Sequence, residues 1–180
     1  MVELNSTEEE QALALSIILH LVRSDSELLN QYRSDGGTSL ILRVLESSRC
    51  HTGRHILKAM LDAACDSSII IKDIGSGNHS ISQNCEAVIT DPGLIKGALT
   101  AWRAWMKYDT LNLLLQALLL LLRDQHSHRE FNASQLNRVG IVDTILTLCK
   151  VNRTICTLKC LHTIKYISIY IFFSNISYLL

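Results

Sequence analysis

His51 and His55 stand four residues apart, the spacing that lets two imidazoles on one helix share a metal ion. The intervening Thr52-Gly53-Arg54 lacks the glutamate of a zincin motif, and local sequence places no third ligand. Cys156, Cys160 and His162 form a second cluster. Cys149, Cys156 and Cys160 also fall at heptad-like spacing, so a buried stripe accounts for the thiols, and Lys159 is a weak thiolate-stabilising neighbour. Gly75-Ser76-Gly77 is a lone GxG without the strand–helix context or the Lys-Ser/Thr that a phosphate cradle needs. No G-x-S-x-G elbow occurs, and no two acids are placed for acid–base work. The expectation is therefore no catalytic residue, no cofactor and no metal.

The remaining candidates suit recognition. Trp102 and Trp105 lie three apart beside Arg103 and Lys107. One reading packs Trp102 in the core with Trp105 near the surface. The sharper one makes a binding hot spot, since tryptophan and arginine are enriched there. The polar connection from Asp124 to Glu130, with His126 and His128, is the second candidate. The expected partner-binding residues are Arg103, Trp105, Lys107, His126 and His128.

These side chains need a scaffold, and the sequence reads as helices throughout. A glycine-ending turn followed by an apolar helical stripe occurs at Asp35-Gly36-Gly37, Asp91-Pro92-Gly93 and Arg138-Val139-Gly140. Gly37 to Gly93 is 56 residues and Gly93 to Gly140 is 47. Armadillo and HEAT repeats run to about 40–47 residues, and a polar insertion through Gly75–Ser80 stretches the first interval. Ile69 to Ile71 reads as a short extended piece and the glycine-serine run after it as a loop. The expected class is all-α, an armadillo/HEAT-like α-solenoid segment of about seven to nine helices.

Local signals set the helix ends. Thr7 with Glu10 is a capping box, and Asp91-Pro92 is a cap followed by proline at the first helical position. The spacing predicts one helix from His51 to Cys65 and another from Pro92 through Trp105 to Lys107. Asp109 is read as the cap of the next helix, and Asn132 as the cap of a short one through Leu136. Leu111 to Leu122 is apolar on almost every side, which fits a central core helix; its 12 residues are too few to span a bilayer.

Composition narrows the partners. Lys plus Arg and Asp plus Glu are 17 each, which gives no electrostatic case for nucleic acid. The acidic start Glu8-Glu9-Glu10 is unlike a secretory signal, so a cytoplasmic setting is expected. In that setting the six cysteines read as free thiols, and the N-x-S/T triplets, Asn132 among them, as chance. Residues 1–150 form the repeat region and 151–180 an atypical apolar tail with no charge after Lys165. Lys150-Val151-Asn152 reads as a lysine codon running into a translated splice donor, so the tail reads as an intron-derived extension. A second reading inserts residues 166–180 in a membrane as a tail anchor, although 15 residues give about 22 Å of helix against a core of about 30 Å. A small enzyme of unrecognised type is the third.

The stretches "SDGGTSLILRVLESSRCHTGRHILKAMLDAACD", "ITDPGLIKGALTAWRAWMKYDTLNLLLQALLLLLRD" and "NASQLNRVGIVDTILTLCK" resemble the helical region upstream of the BEACH domain in BEACH-family vesicle-traffic scaffolds. Within that family a lysosomal branch is the nearer likeness and the neurobeachin group the next. The resemblance covers about residues 1–150 and implies a cytosolic, non-enzymatic scaffold in lysosome or vesicle trafficking, with proteins as partners. The apolar tail departs from the family pattern.

Overall fold

The computed structural model describes residues 6–75, 78–82, 86–107, 110–151 and 167. The side chains of residues 73–78, Cys149 and Val151 are outside that description, as are the remaining residues of the tail. The fold is mostly helical. Among the described residues the order is α1 (Glu8–Ser24), α2 (Ser26–Ser34), α3 (Gly37–Glu46), α4 (Arg54–Ala64), β1 (Ile71–Gly75), β2 (Asn78–Ile81), α5 (Pro92–Thr100), α6 (Trp102–Met106), α7 (Leu111–Leu122), α8 (Arg129–Arg138) and α9 (Ile141–Val151).

Two of the three recurring turns share one physical cause. Gly36 and Gly140 have φ of 72° and 67°, the left-handed region that glycine enters without a Cβ penalty. Each ends a short helix and starts the next, α2 to α3 and α8 to α9. The third turn works differently. Asp91 accepts the backbone N–H of Leu94 at 3.1 Å and Pro92 opens α5, so Gly93 lies inside the helix. The capping box is present: Thr7 Oγ1 accepts from Glu10 N and Glu10 Oε2 accepts from Thr7 N.

α5 and α7 hold the centre. α5 packs against α3, α4, α8 and α9, and α7 against α6, α8 and β2. Nine α7 residues are buried, from Leu111 to Leu122, as a helix apolar all round requires in a core. α1 covers α4. No helix among the described residues is long and apolar enough to cross a membrane; residues 166–180 lie outside them except Ile167, which is buried in the core.

Several local expectations give way. Of the loop expected at Gly75–Ser80, Gly75 and Asn78–Ser80 belong to an antiparallel hairpin instead, with Ile71 opposite Ile81, Lys72 opposite Ser80 and a bulge between Asp73 and Gly75, while Ser76 and Gly77 lie outside the described residues. Burial of Ile81 beside α7 gives this polar stretch an apolar anchor. α4 begins at Arg54 instead of His51, because Thr52 is drawn into the core, where its Oγ1 donates to Ala104 O at 2.6 Å. The helix expected from Pro92 to Lys107 breaks at Ala101. Thr100 Oγ1 bonds back to Lys96 O at 2.9 Å, a contact that bends helices. Thr110 is the N-cap position of α7; Asp109 lies outside the described residues. Asn132 sits inside α8 instead of capping it, since that helix begins at Arg129.

Candidate interaction surface

The break at Ala101 decides which tryptophan faces inward. Trp105 is 0% exposed, and its Nε1 donates to Ala98 O at 2.8 Å. Trp102 is half-buried, and the Arg103 guanidinium lies 4.7 Å from its ring centroid, a cation–π stack. Trp105, expected near the surface, is thus buried and Trp102 is the more exposed indole, because the kink turns the second ring into the core. Arg103 and Lys107 are exposed beside it.

The second candidate is the connection between α7 and α8. It borders a groove of about 580 Å³ whose wall includes His126, His128, Phe131 and Arg138. His128 is exposed, whereas His126 is only 3% exposed. The backbone N–H of His128 donates to His126 Nδ1 at 3.1 Å, which fixes the neutral ring as the Nε2–H tautomer. That Nε2 is buried without a hydrogen-bond partner among the described residues. Burial is the main cause that lowers the His126 pKa from 6.5; His128 and Arg123 lower it further, and Glu86 opposes them. Glu86 accepts from Ser127 Oγ, and that bond chiefly holds its own pKa below 4.5. The Trp102–Arg103 corner precedes α7 and this connection follows it.

A third surface was not anticipated. Leu13, Ile17, Ile18 and Leu21 on α1, Leu28 on α2, and Leu40 and Val44 on α3 are all exposed, Leu13 by 63% and Ile17 by 51%. The apolar run of α1 was visible in the sequence as one wide helical face. What it did not reveal is that α4 covers only part of that face, at residues such as Ala12 and Leu19.

The histidine pair expected from the sequence does not come together among the described residues. His51 precedes α4 and binds Gln11, whose Oε1 accepts its backbone N–H at 2.9 Å, so it does not share a helix face with His55. Glu8, Glu9 and His55 bring possible ligand atoms within 4.8 Å of one another. Glu8 is already engaged by backbone N–H groups, Arg54 Nε donates to His55 Nε2 at 3.1 Å, and that Nε2 lies 3.4 Å from Glu9 Oε1. Cys156, Cys160 and His162 lie outside the described residues; Cys50 and Cys65 are buried.

The fold is mostly helical, and sequence similarity supplies the family. The chain is 34% identical over 153 residues to the Lysosomal-trafficking regulator of Homo sapiens, covering 84% of this chain and 4% of that protein. It is 31% identical over 156 residues to the Lysosomal-trafficking regulator of Drosophila melanogaster, again 84% and 4%. The chain belongs with the lysosomal-trafficking regulators of the BEACH group, as a region related to a small part of them. No family model matches it, and no solved structure matches it.

Proposed function

We propose that the chain is an armadillo/HEAT-like α-solenoid segment acting as a non-catalytic protein-interaction scaffold in lysosome and vesicle trafficking, on the cytoplasmic side. The observation that carries this reading is the exposed apolar surface of α1–α3, with Leu13, Ile17, Leu21, Leu40 and Val44. Seven large apolar side chains exposed on three successive helices fit solenoid units, which bury such faces against neighbours or partners. The relatives' role as trafficking regulators supports the process. Trp102, Arg103, Lys107 and His128 are secondary contact positions.

The test is cross-linking mass spectrometry on the full chain in cells, compared with Leu40→Glu. The expected result is a reproducible set of vesicle- or lysosome-associated neighbours that the variant loses while its helical circular dichroism persists. A neighbour set unchanged by Leu40→Glu refutes the surface, and one without trafficking proteins refutes the process.

A further inference from the structure

The first turns of α1 and α4 bring together three side chains of metal-ligating type. Glu8 and Glu9 open α1, and His55, in the first turn of α4, follows Glu8 by 47 residues. Each offers one ligand atom, and these atoms lie within 4.8 Å of one another. Glu8 caps α4 through Oε1, so Oε2 takes no part in the cap. The side chains of Glu9 and His55 are 64% and 36% exposed, which leaves them open to an ion from solvent. The His55 ring carries the argument further. Arg54 Nε donates to His55 Nε2 at 3.1 Å, so in the neutral ring Nε2 presents a lone pair and Nδ1 holds the proton. The same Nε2 lies 3.4 Å from Glu9 Oε1. A lone pair and a carboxylate oxygen this close repel unless a cation serves both. Two ligand atoms on one tetrahedral zinc ion, each at about 2.0–2.1 Å, stand about 3.3 Å apart. The Glu9–His55 separation matches that edge.

We propose that Glu8, Glu9 and His55 bind a divalent cation of borderline softness, with zinc as the type, and that the ion displaces the Arg54 guanidinium from His55 Nε2. One imidazole nitrogen with two carboxylate oxygens is a donor set such an ion accepts, and the two carboxylates balance its charge. Three protein ligands leave a coordination position for water. Arg54 has a second seat, since its Nη1 lies 3.2 and 3.1 Å from Nδ1 and Nε2 of His79. The ion fastens α1 to α4, the pair that Glu8 already joins through the cap. The site goes beyond the scaffold reading and needs none of its partners.

The test is calorimetric titration of the full chain with zinc chloride, beside Glu9→Gln, His55→Gln and Arg54→Gln. Glu9 is an exposed side chain, so Glu9→Gln removes the charge and leaves the fold in place, which circular dichroism checks. The expected result is saturable binding that weakens roughly tenfold or more in Glu9→Gln and in His55→Gln. Arg54→Gln should tighten it, because the competing guanidinium is gone. Zinc should raise the melting temperature of wild type and leave that of His55→Gln unchanged. Cobalt(II) then reports the donor atoms: nitrogen and oxygen ligands give visible d–d bands without the near-ultraviolet charge transfer of a thiolate. No saturable zinc binding overturns the proposal, as does binding indifferent to both Glu9→Gln and His55→Gln. A thiolate band overturns it as well, by giving the ion to the cysteines. Binding that Arg54→Gln weakens overturns the displacement of the guanidinium.

Discussion

Glu8 and Arg23, fifteen residues apart on α1, hold the two ends of α4. Glu8 Oε1 accepts the backbone N–H groups of His55 and Ile56 at 2.7 and 3.2 Å. Arg23 Nη1 donates to the carbonyls of Asp62 and Cys65 at 3.4 Å and to Ala63 O. The two helices therefore run parallel, and one supplies both caps of the other. α4 needs this because Gly53, at its N-cap position, has no side chain to offer. The acid at the positive end and the guanidinium at the negative end also complement the helix dipole.

Removing the first cap has a defined cost. Glu8→Ala should lower stability by about 1–2 kcal/mol, the usual price of an N-cap acceptor, and Glu8→Gln by less because one acceptor oxygen remains. At this chain length that is a fall in Tm of roughly 2–8 °C. Thermal unfolding followed by circular dichroism measures it. Equal melting of wild type and Glu8→Ala would show that the cap contributes nothing.

Gly53 provides a test by coupling. A Cβ there would lie 2.6 Å from the Glu8 carboxyl carbon. The backbone angles, φ −81° and ψ −164°, suit alanine, so the expected loss comes from pushing the carboxylate off the helix end. Gly53→Ala should cost about as much as Glu8→Ala, on the order of 1 kcal/mol. The double variant should cost little more than either single one, which a double-mutant cycle reads directly. Simple additivity would mean that Gly53 matters for another reason.

Asn132 joins three parts of the chain from a fully buried position. Its Oδ1 accepts from Ile89 N at 2.9 Å, and its Nδ2 donates to Ala87 O and Leu121 O at 3.1 and 3.2 Å. Asn132→Ala leaves a buried N–H and two buried carbonyls short of a partner, so a loss of about 3 kcal/mol or more is expected. Asn132→Asp keeps the acceptor but turns a negative charge toward two carbonyls and should also destabilise. Urea midpoints measure both. An Asn132→Ala chain as stable as wild type would assign those groups to other partners.

Short-range signals were legible and long-range ones were not. The Thr7–Glu10 box, the Asp91-Pro92 start and the glycine-containing turns at 35–37 and 138–140 depend on residues within one turn of each other. The burial of α7 followed from composition alone. The grip of Glu8 on α4 links residues 47 and 48 apart, and no local pattern encodes it. Asn132 looked like a cap because asparagine favours caps; contacts 43 and 45 residues away make it a core clamp. The two tryptophans share a helical face in the sequence, and only the kink at Ala101 separates the half-buried one from the buried one.

His126 makes the fold sensitive to mild acid. Its neutral ring accepts from His128 N–H, and protonation at Nδ1 both breaks that bond and places a charge in a buried position. Because burial depresses the folded pKa below the ordinary 6.5, the unfolded chain binds the proton more readily. The contribution is fully present above pH 6.5 and is lost as pH falls through the folded value. Glu86, also depressed, acts in a separate window below its ordinary 4.5, where protonation weakens its bond to Ser127. Urea midpoints from pH 8 to 5 should therefore fall for wild type below pH 6.5. The decline should be smaller in His126→Gln, whose side chain cannot take up a proton. Parallel pH profiles for the two proteins would show that another histidine carries the dependence.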